Sequence, residues 1–330
     1  MAMTEPAKLP AEYATRAATL EDLASVLELI VECDVADYGD SDETEVGLRD
    51  HWNDLTLATD AVVVLDSEPR IVGYADQLPR NPVRLDATVY VHPEQTARGI
   101  GTWLTRWAQA RAMERVPEAP EGARVSLGFG VAAVNEAGNR LLAECGLEPT
   151  RHFLRMMIEF DAPPAPPVWP EGVSFRPFIL GQDDLAAYRA LDEAFQDHWG
   201  HVTVPFEETM RRALAQESFD PTLWFLAADG NDVAGASICG LRGEIGWINT
   251  LGVRRPWRRR GVALALLQHS FGELYRRGRR NVRLGVDASS LTGATRLYER
   301  AGMREDRRYV IYSRELRAGH EIATETLEDQ

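Results

Sequence analysis

The sequence predicts an α/β fold built twice in tandem, and three observations predict it. A proline-rich stretch, "DAPPAPPVWPEG" from Asp161 to Gly172, divides the chain near its middle. Its prolines cannot sit inside a helix or a central strand, and they favour an extended linker. The segments on either side resemble each other at one offset. "TVYVHPEQTARGIGTWL" from Thr88 lies against "TLGVRRPWRRRGVALAL" from Thr250, and Leu23 against Leu185, both 162 residues apart. Finally, each half reads as strand, two helices, three strands, helix, strand, helix, strand. The expected organisation is a first domain at 11–160, a linker at 161–172, a second domain at 173–317 and a tail at 318–330.

The second half shows the elements most clearly. "VSFRPF" is a strand. "DDLAAYRALDEAF" is a helix capped by Asp183 or Asp184. "PFEETMRRALAQ" is a second helix with proline near its start. "LWFLAAD", "VAGASICGL" and "IGWINTLGV" are strands, with "DG" and "RGE" as hairpin turns. A helix follows from "RRRGVALALL". "NVRLGVD" is a strand, "GATRLYERAG" a helix ending at Gly302, and "RRYVIYSREL" a closing strand. In the first half "AVVVLD", "RIVGYADQL" and "RLDATVYV" are the three strands. "GIGTWLTRWAQARAM", "RVSLGFGV", "NEAGNRLLAECG" and "RHFLRMMIEF" complete the series.

Composition excludes several function classes. At 330 residues with 45% hydrophobic content, the chain can bury two ordinary cores. A net charge of −15 argues against general nucleic-acid or anionic-membrane binding and leaves a small ligand open. Cys33, Cys145 and Cys239 are far apart and form neither a metal spacing nor a disulfide framework. No metal is expected. The start, "MAMTEPAKLP", has no apolar run of the signal-peptide type, and no stretch is long enough to span a bilayer. The expectation is a cytoplasmic protein, monomeric or homodimeric. Lys8 is the only lysine among 36 basic residues, a bias that fits a GC-rich bacterial genome.

One motif stands against that acidic background. In "RRPWRRRGVA" a strand runs directly into a helix through three arginines and a glycine. Cations normally suit the other end of a helix. Free N–H groups at a helix start, together with the helix dipole, make a site for an anion. Gly261 and Ala263 are small and let backbone approach a ligand. Arg258, Arg259 and Arg260 would add charge-assisted contacts to a diphosphate. A solvated basic turn is the alternative reading.

Arg258-x-x-Gly261-x-Ala263, within this order of strands and helices and ahead of "ATRLYERAGM", resembles the acyl-CoA pyrophosphate loop of the GCN5-related N-acetyltransferases. The resemblance covers nearly the whole chain as two tandem copies. It implies two α/β (α+β) domains, each with a mixed central sheet flanked by helices. Each sheet would be splayed between its fourth and fifth strands, with acyl-CoA in the splay. It further implies acetyl-CoA as cosubstrate. Backbone of Leu251, Gly252 and Val253 would hold the pantetheine arm. Loop residues Arg258, Arg259, Arg260, Gly261, Val262 and Ala263 would hold the diphosphate. Tyr298 would protonate the departing CoA thiolate, a role suited to a phenol with pKa near 10. By pattern alone Ala294, Leu297, Tyr298 and Ala301 also form one helical core face.

For the general base the candidates are Glu244, which opens the fourth strand, and His198 or His201 in "DHWGH". Asn249 and Thr250 sit nearer the strand centre but can only hold a water. Ser289, Ser290 and Thr292 stand where the family often has an asparagine. The first half keeps Arg98, Gly99, Ile100 and Gly101, with Val89 and Val91 on its strand, so it would retain a CoA loop. It lacks the motif's leading residue at Thr96 and has Leu142 in place of the tyrosine, although Asn135 keeps the family asparagine. That half reads as a degenerate copy. The acidic run Glu32, Asp34, Asp37, Asp40, Asp42, Glu43 and Glu45 is either a solvated loop or an attractor for a cationic amine.

The resulting expectation is an N-acetyltransferase acting on a primary amine of a small molecule, with chemistry in the second half. Tandem architecture of this length is also similar to mycothiol synthases, which acetylate an amino-sugar conjugate of cysteine, and to antibiotic-modifying acetyltransferases. A non-catalytic CoA-binding or sensing protein is the reading from a different class.

Overall fold

The computed structural model describes residues 9–79, 81–290 and 293–324. The first half begins with β1 (Ala14–Ala17), α1 (Leu23–Tyr38), α2 (Glu45–Trp52) and the single turn α3 (Leu57–Asp60). It continues through β2 (Ala61–Leu65), β3 (Ile71–Leu78), β4 (Arg84–Val91), α4 (Ile100–Arg115), β5 (Val125–Ala132), α5 (Glu136–Glu144) and β6 (Glu148–Glu159). The second half repeats the series. It runs β7 (Val173–Pro177), α6 (Asp184–Phe195), α7 (Phe206–Ala215), β8 (Trp224–Asp229), β9 (Asp232–Arg242) and β10 (Ile245–Val253). It ends with α8 (Val262–Arg276), β11 (Asn281–Asp287), α9 (Ala294–Arg300) and β12 (Arg304–Arg317).

Two compact units emerge, and their boundaries differ from the 11–160 and 173–317 expected. The first contains the described residues through His152 together with Arg308–Ile322. The second contains Phe153–Arg307 with Ala323 and Thr324. The closing strands are therefore exchanged. In the first unit β5 pairs antiparallel with β12, from Tyr309 opposite Ala132 to Arg317 opposite Val125. In the second, β11 pairs antiparallel with β6, from Asn281 opposite Glu159 to Asp287 opposite Phe153. "RHFLRMMIEF" thus serves mostly the second unit's sheet, and "RRYVIYSREL" the first's.

Each unit has a mixed sheet that opens between one parallel pair. In the first unit β4 and β5 pair only from Arg84/Ser126 to Ala87/Phe129. In the second, β10 and β11 pair only from Ile245/Asn281 to Ile248/Leu284, and beyond that point they part. The units differ beside this opening. The β9–β10 register shifts between Ile248 and Thr250, so Asn249 is a bulge residue with no opposite number on β9. The β3–β4 ladder runs from Gly73/Val91 to Leu78/Asp86 without a shift.

The second unit's core explains why the opening keeps its shape. Helix α8 buries Val262, Ala265, Leu266, Phe271 and Leu274, a stripe at helical spacing. That stripe packs on Leu154, Met156, Ile248, Val282, Leu284 and Val286 of the sheet. Fixed on one face, the sheet leaves the ends of β10 and β11 apart. Among the described residues no helix is long and apolar enough to cross a membrane.

Candidate active site

The opening between β10 and β11 is a cleft of about 720 Å3, and its lining draws on six helices and strands of the second unit. Strand β10 contributes Ile248–Val253. In a strand, successive residues turn their N–H and C=O groups to opposite neighbours. Arg254 N donates to Ala234 O on the β9 side at 2.9 Å, so the main-chain groups of Leu251 and Val253 face the opening, where β11 has already left. These are the two residues expected to hold a pantetheine amide chain. Gly252 lies between them, tight against α6: a Cβ there would stand 2.9 Å from the Ala194 Cβ.

The loop at the cleft mouth is shaped to expose its N–H groups. Arg259 and Gly261 both have positive φ, 61° and 94°, while Arg258 between β10 and Arg259 is extended. Positive φ at Arg259 and Gly261 with Arg260 between them outside that region is an alternation that can turn successive N–H groups toward one point, the geometry of an anion-binding nest. Gly261 is the N-cap of α8, and a Cβ on it would meet nothing within 4 Å, so the space over it is open to a ligand. Val262 is buried below, and Ala263 lines the cleft. Gly261→Val would strain the left-handed backbone and put two methyl groups in that space. Acetyl-CoA affinity measured by calorimetry on folded protein is expected to fall about tenfold or more, an effect above 1.4 kcal/mol.

The three arginines do different things. Arg259 lines the cleft and is exposed. Arg260 reaches the Glu171 carbonyl at 3.3 Å. Arg258 also lines the cleft, and its guanidinium is bonded within the protein. Its Nε donates to Val253 O and its Nη2 to Ala194 O, both at 3.1 Å, and its Nη1 donates to Asp197 Oδ2. Arg255 Nη2 takes the other oxygen, Oδ1, at 2.6 Å. Burial alone would push the Asp197 carboxyl up, but the two guanidinium groups hold it below the usual carboxylate range. Asp197 was invisible in the sequence as a partner of the motif, since 61 residues separate it from Arg258.

His198 follows Asp197 and lines the cleft, its ring stacked on Phe195 with centroids 4.5 Å apart. Burial pushes its pKa below the ordinary histidine value, an effect partly offset by the Asp287 carboxylate, so the imidazole is neutral at pH 7. His201 instead pairs with Asp192, Nε2 to Oδ1 at 3.1 Å, and does not line the cleft. Glu244 is a second departure. It lies in the β9–β10 hairpin turn, at the end of β10 away from the cleft, 89% exposed and paired with Arg279 at 2.7 Å. The geometry brings His198 to the cleft and leaves Glu244 outside it.

Tyr298 lies on α9, on the other side of the opening. It is buried but lines the cleft, and burial pushes its phenol up to about 12. Among the described residues nothing hydrogen-bonds its hydroxyl. It is also a member of the unit's core cluster, so the packing and cleft-lining readings hold together. Arg296 and Arg300 on the same helix line the cleft and are exposed, and Phe153 enters from β6. None of these three was singled out from the sequence. Phe153 was missed because β6 had been assigned to the first half. Asn249 and Thr250 line the cleft as well. Thr292 lies outside the described residues.

In the first unit the loop keeps its backbone conformation and has different side chains. Ala97 and Gly99 repeat the positive φ pair at 60° and 83°, and Gly99 caps α4. Arg98 is exposed and Ile100 buried. A Cβ on Gly101 would stand 2.7 Å from Leu141 Cδ2, so α5 already fills that side. Val89 and Val91 pack toward α4, and the Val91 carbonyl accepts a bond from Cys33 Sγ at 3.2 Å. Leu142 is buried where Tyr298 stands in the other copy. Asn135 caps α5, accepting from Gly138 N at 2.7 Å, and its amide donates to Asp37. In the acidic run Asp34 accepts from Ser41, Glu32 pairs with His92, and Glu45 with Arg49. Much of that charge is spent on local structure.

The second unit thus joins a splayed mixed sheet, a positive-φ loop at its opening, and Tyr298 and His198 in the lining of one cleft. The profile of the Acetyltransferase (GNAT) family matches residues 23–147 and again 186–303. The chain belongs to the GNAT family of acetyltransferases, as two tandem copies, and is an acyltransferase. A mycothiol acetyltransferase from Streptomyces scabiei is 30% identical over 240 residues, covering 70% of this chain and 72% of that protein. One from Thermobispora bispora is 28% identical over 263 residues, covering 74% and 80%. The crystal structure of a GCN5-related N-acetyltransferase from Sphaerobacter thermophilus is 39% identical, covers 96% of this chain and 99% of its own, and superposes with a TM-score of 0.84. A tandem GNAT protein from the clavulanic acid biosynthesis pathway shares the fold at 16% identity and a TM-score of 0.69.

Proposed function

We propose that the protein transfers an acetyl group from acetyl-CoA to the primary amine of a small molecule, with the chemistry in the second unit. The observation that carries this reading is the joint placement of His198 and of the Tyr298 hydroxyl, which has no hydrogen-bond partner among the described residues, in the cleft whose mouth is the Gly261 loop. The nest and the start of α8 bind the diphosphate. Leu251 and Val253 hold the pantetheine amides by main chain, which aligns the thioester along β10. His198 accepts the proton of the incoming ammonium. The free amine attacks the thioester carbon, and main-chain groups near the Asn249 bulge are placed to stabilise charge developing on the oxygen. As the C–S bond breaks, Tyr298 donates its proton to the sulfur and is reprotonated by the proton the new amide nitrogen gives up; burial, which raises its pKa, keeps the phenol protonated beforehand.

The test is acetylated product by mass spectrometry from a panel of primary amines. The mycothiol acetyltransferase relatives make a cysteine–amino-sugar conjugate the first acceptor to try, with aminoglycosides as the second class. Binding of acetyl-CoA without acetylation of any amine in the panel would replace this reading with that of a CoA-binding protein. His198 gives the pH dependence. A base must be neutral to act, and burial lowers this group's pKa, so activity persists to lower pH than an ordinary imidazole allows. The acidic limb of kcat is expected to inflect below pH ~6.5, and His198→Gln to remove that limb with a loss of about 10²–10⁴-fold. An unchanged limb in His198→Gln assigns the base elsewhere.

A further inference from the structure

The motif's leading arginine makes three bonds, all to acceptors of the protein itself. Its fork joins the end of β10, through Val253 O, to the end of α6, through Ala194 O and Asp197. Asp197 is buried and has both carboxylate oxygens taken: Oδ2 accepts from Arg258 Nη1 and from Arg255 Nε at 3.3 Å, and Oδ1 from Arg255 Nη2 at 2.6 Å. The next residue is His198. The turn that carries it is held at two further points. His201 is bonded to Asp192 on α6, and Gly200 N donates to Thr324 O at 2.6 Å while Thr324 N donates to His201 O at 3.1 Å. On the side facing the CoA loop the Asp197 carboxylate is the ionic tie, and the Trp199 ring is tilted against Phe153 with centroids 6.5 Å apart.

We propose that Arg258 is a positioning residue: through Asp197 it fixes the 195–201 turn, and with it His198, against the loop that binds the CoA diphosphate. The assignment of His198 as base rests on the function proposed above; the latch itself does not. The geometry explains why a guanidinium is used. Three acceptors diverge around one planar fork, which a lysine ammonium on a flexible stem cannot span. It also links the two substrates' sites, since the residue that opens the CoA loop is the one that seats the acceptor-side histidine.

Arg258→Lys keeps the positive charge and removes the fork, so it separates this role from phosphate binding. Three quantities are read on the full-length protein. Calorimetry gives acetyl-CoA affinity, expected within about threefold of wild type because the main-chain nest is untouched. Hydrogen exchange reads the His198 and Gly200 amides, expected to exchange about tenfold or more faster while α8 and β10 keep their protection. Steady-state kinetics with the best amine of the panel should show a raised amine KM and lowered kcat, with acetyl-CoA KM unchanged. Asp197→Asn should reproduce all three, and the double variant should be no worse than either alone.

A drop of tenfold or more in acetyl-CoA affinity for Arg258→Lys, absent in Asp197→Asn, would make Arg258 a phosphate ligand and overturn the proposal. So would unchanged exchange at His198 and Gly200. If either variant fails to fold, Arg255→Gln, which removes the two Arg255 bonds to Asp197 and leaves those of Arg258, is expected to give the same pattern at smaller amplitude, and wild-type exchange there is also a refutation. If no amine is acetylated, the function reading fails while the exchange and binding measurements still decide the latch.

Discussion

Tyr298→Phe is expected to lower kcat by about 10²–10⁴-fold and leave acetyl-CoA affinity unchanged. The ring is part of the core that includes Leu284, Val286 and Met303, and phenylalanine keeps that packing. The hydroxyl bonds to nothing among the described residues, so its removal leaves no buried group unsatisfied. What is lost is a proton donor at the cleft wall. The comparison variant is Gly99→Val, at the first unit's copy of the loop, where φ is 83° and a Cβ meets nothing within 4 Å. It strains that loop as Gly261→Val strains its counterpart, yet it is expected to spare most turnover because Leu142 offers no phenol. Kinetics with a melting profile on each variant decides the matter. Normal turnover by Tyr298→Phe, with Gly99→Val dead and natively folded, would move the chemistry to the first unit.

Much of this site was legible because backbone conformation was written into residue type. Gly99 and Gly261 stand where the chain enters a helix through left-handed φ, and glycine takes that conformation without strain. The residue two before each, Ala97 and Arg259, shares a positive φ near 60° although neither is glycine. The repeat offset therefore preserved a loop shape even where the side chains diverged. The alternating and continuous apolar runs likewise marked every strand that borders the cleft.

Three features were not legible, each for a physical reason. The pattern puts Glu244 at the start of the fourth strand; it lies in the turn just before β10, and the splay is at that strand's other end. Arg258 was read by its charge, while its fork is satisfied by Asp197 and two carbonyls that only the folded chain brings near it. The exchange of closing strands left no mark at all. An antiparallel strand with apolar residues on one face fits any sheet edge of matching polarity, and "RHFLRMMIEF" and "RRYVIYSREL" carry no information about which edge that is.

That exchange leads to the second large effect. A fragment of residues 173–307 is expected not to fold, whereas residues 150–307 should fold and bind acetyl-CoA. The shorter piece contains every loop and helix of the cleft except what β6 supplies. It lacks the seven-residue ladder from Phe153 to Glu159 that covers β11. It also lacks Leu154 and Met156, which are buried in the second unit's core, and Ile158, which packs against it. Truncating a buried leucine or methionine costs about 2–5 kcal/mol each, against a total stability of about 5–15 kcal/mol for a domain. The bare edge of β11 would then pair with other chains. Phe153 lines the cleft, so the same strand also shapes the site. Circular dichroism melts and calorimetry with acetyl-CoA compare the two fragments directly, since both end at Arg307 and differ only in the β6 strand and the linker. A cooperative melt and full acetyl-CoA affinity in 173–307 would show that the second half completes its own fold, and that β6 is dispensable to it.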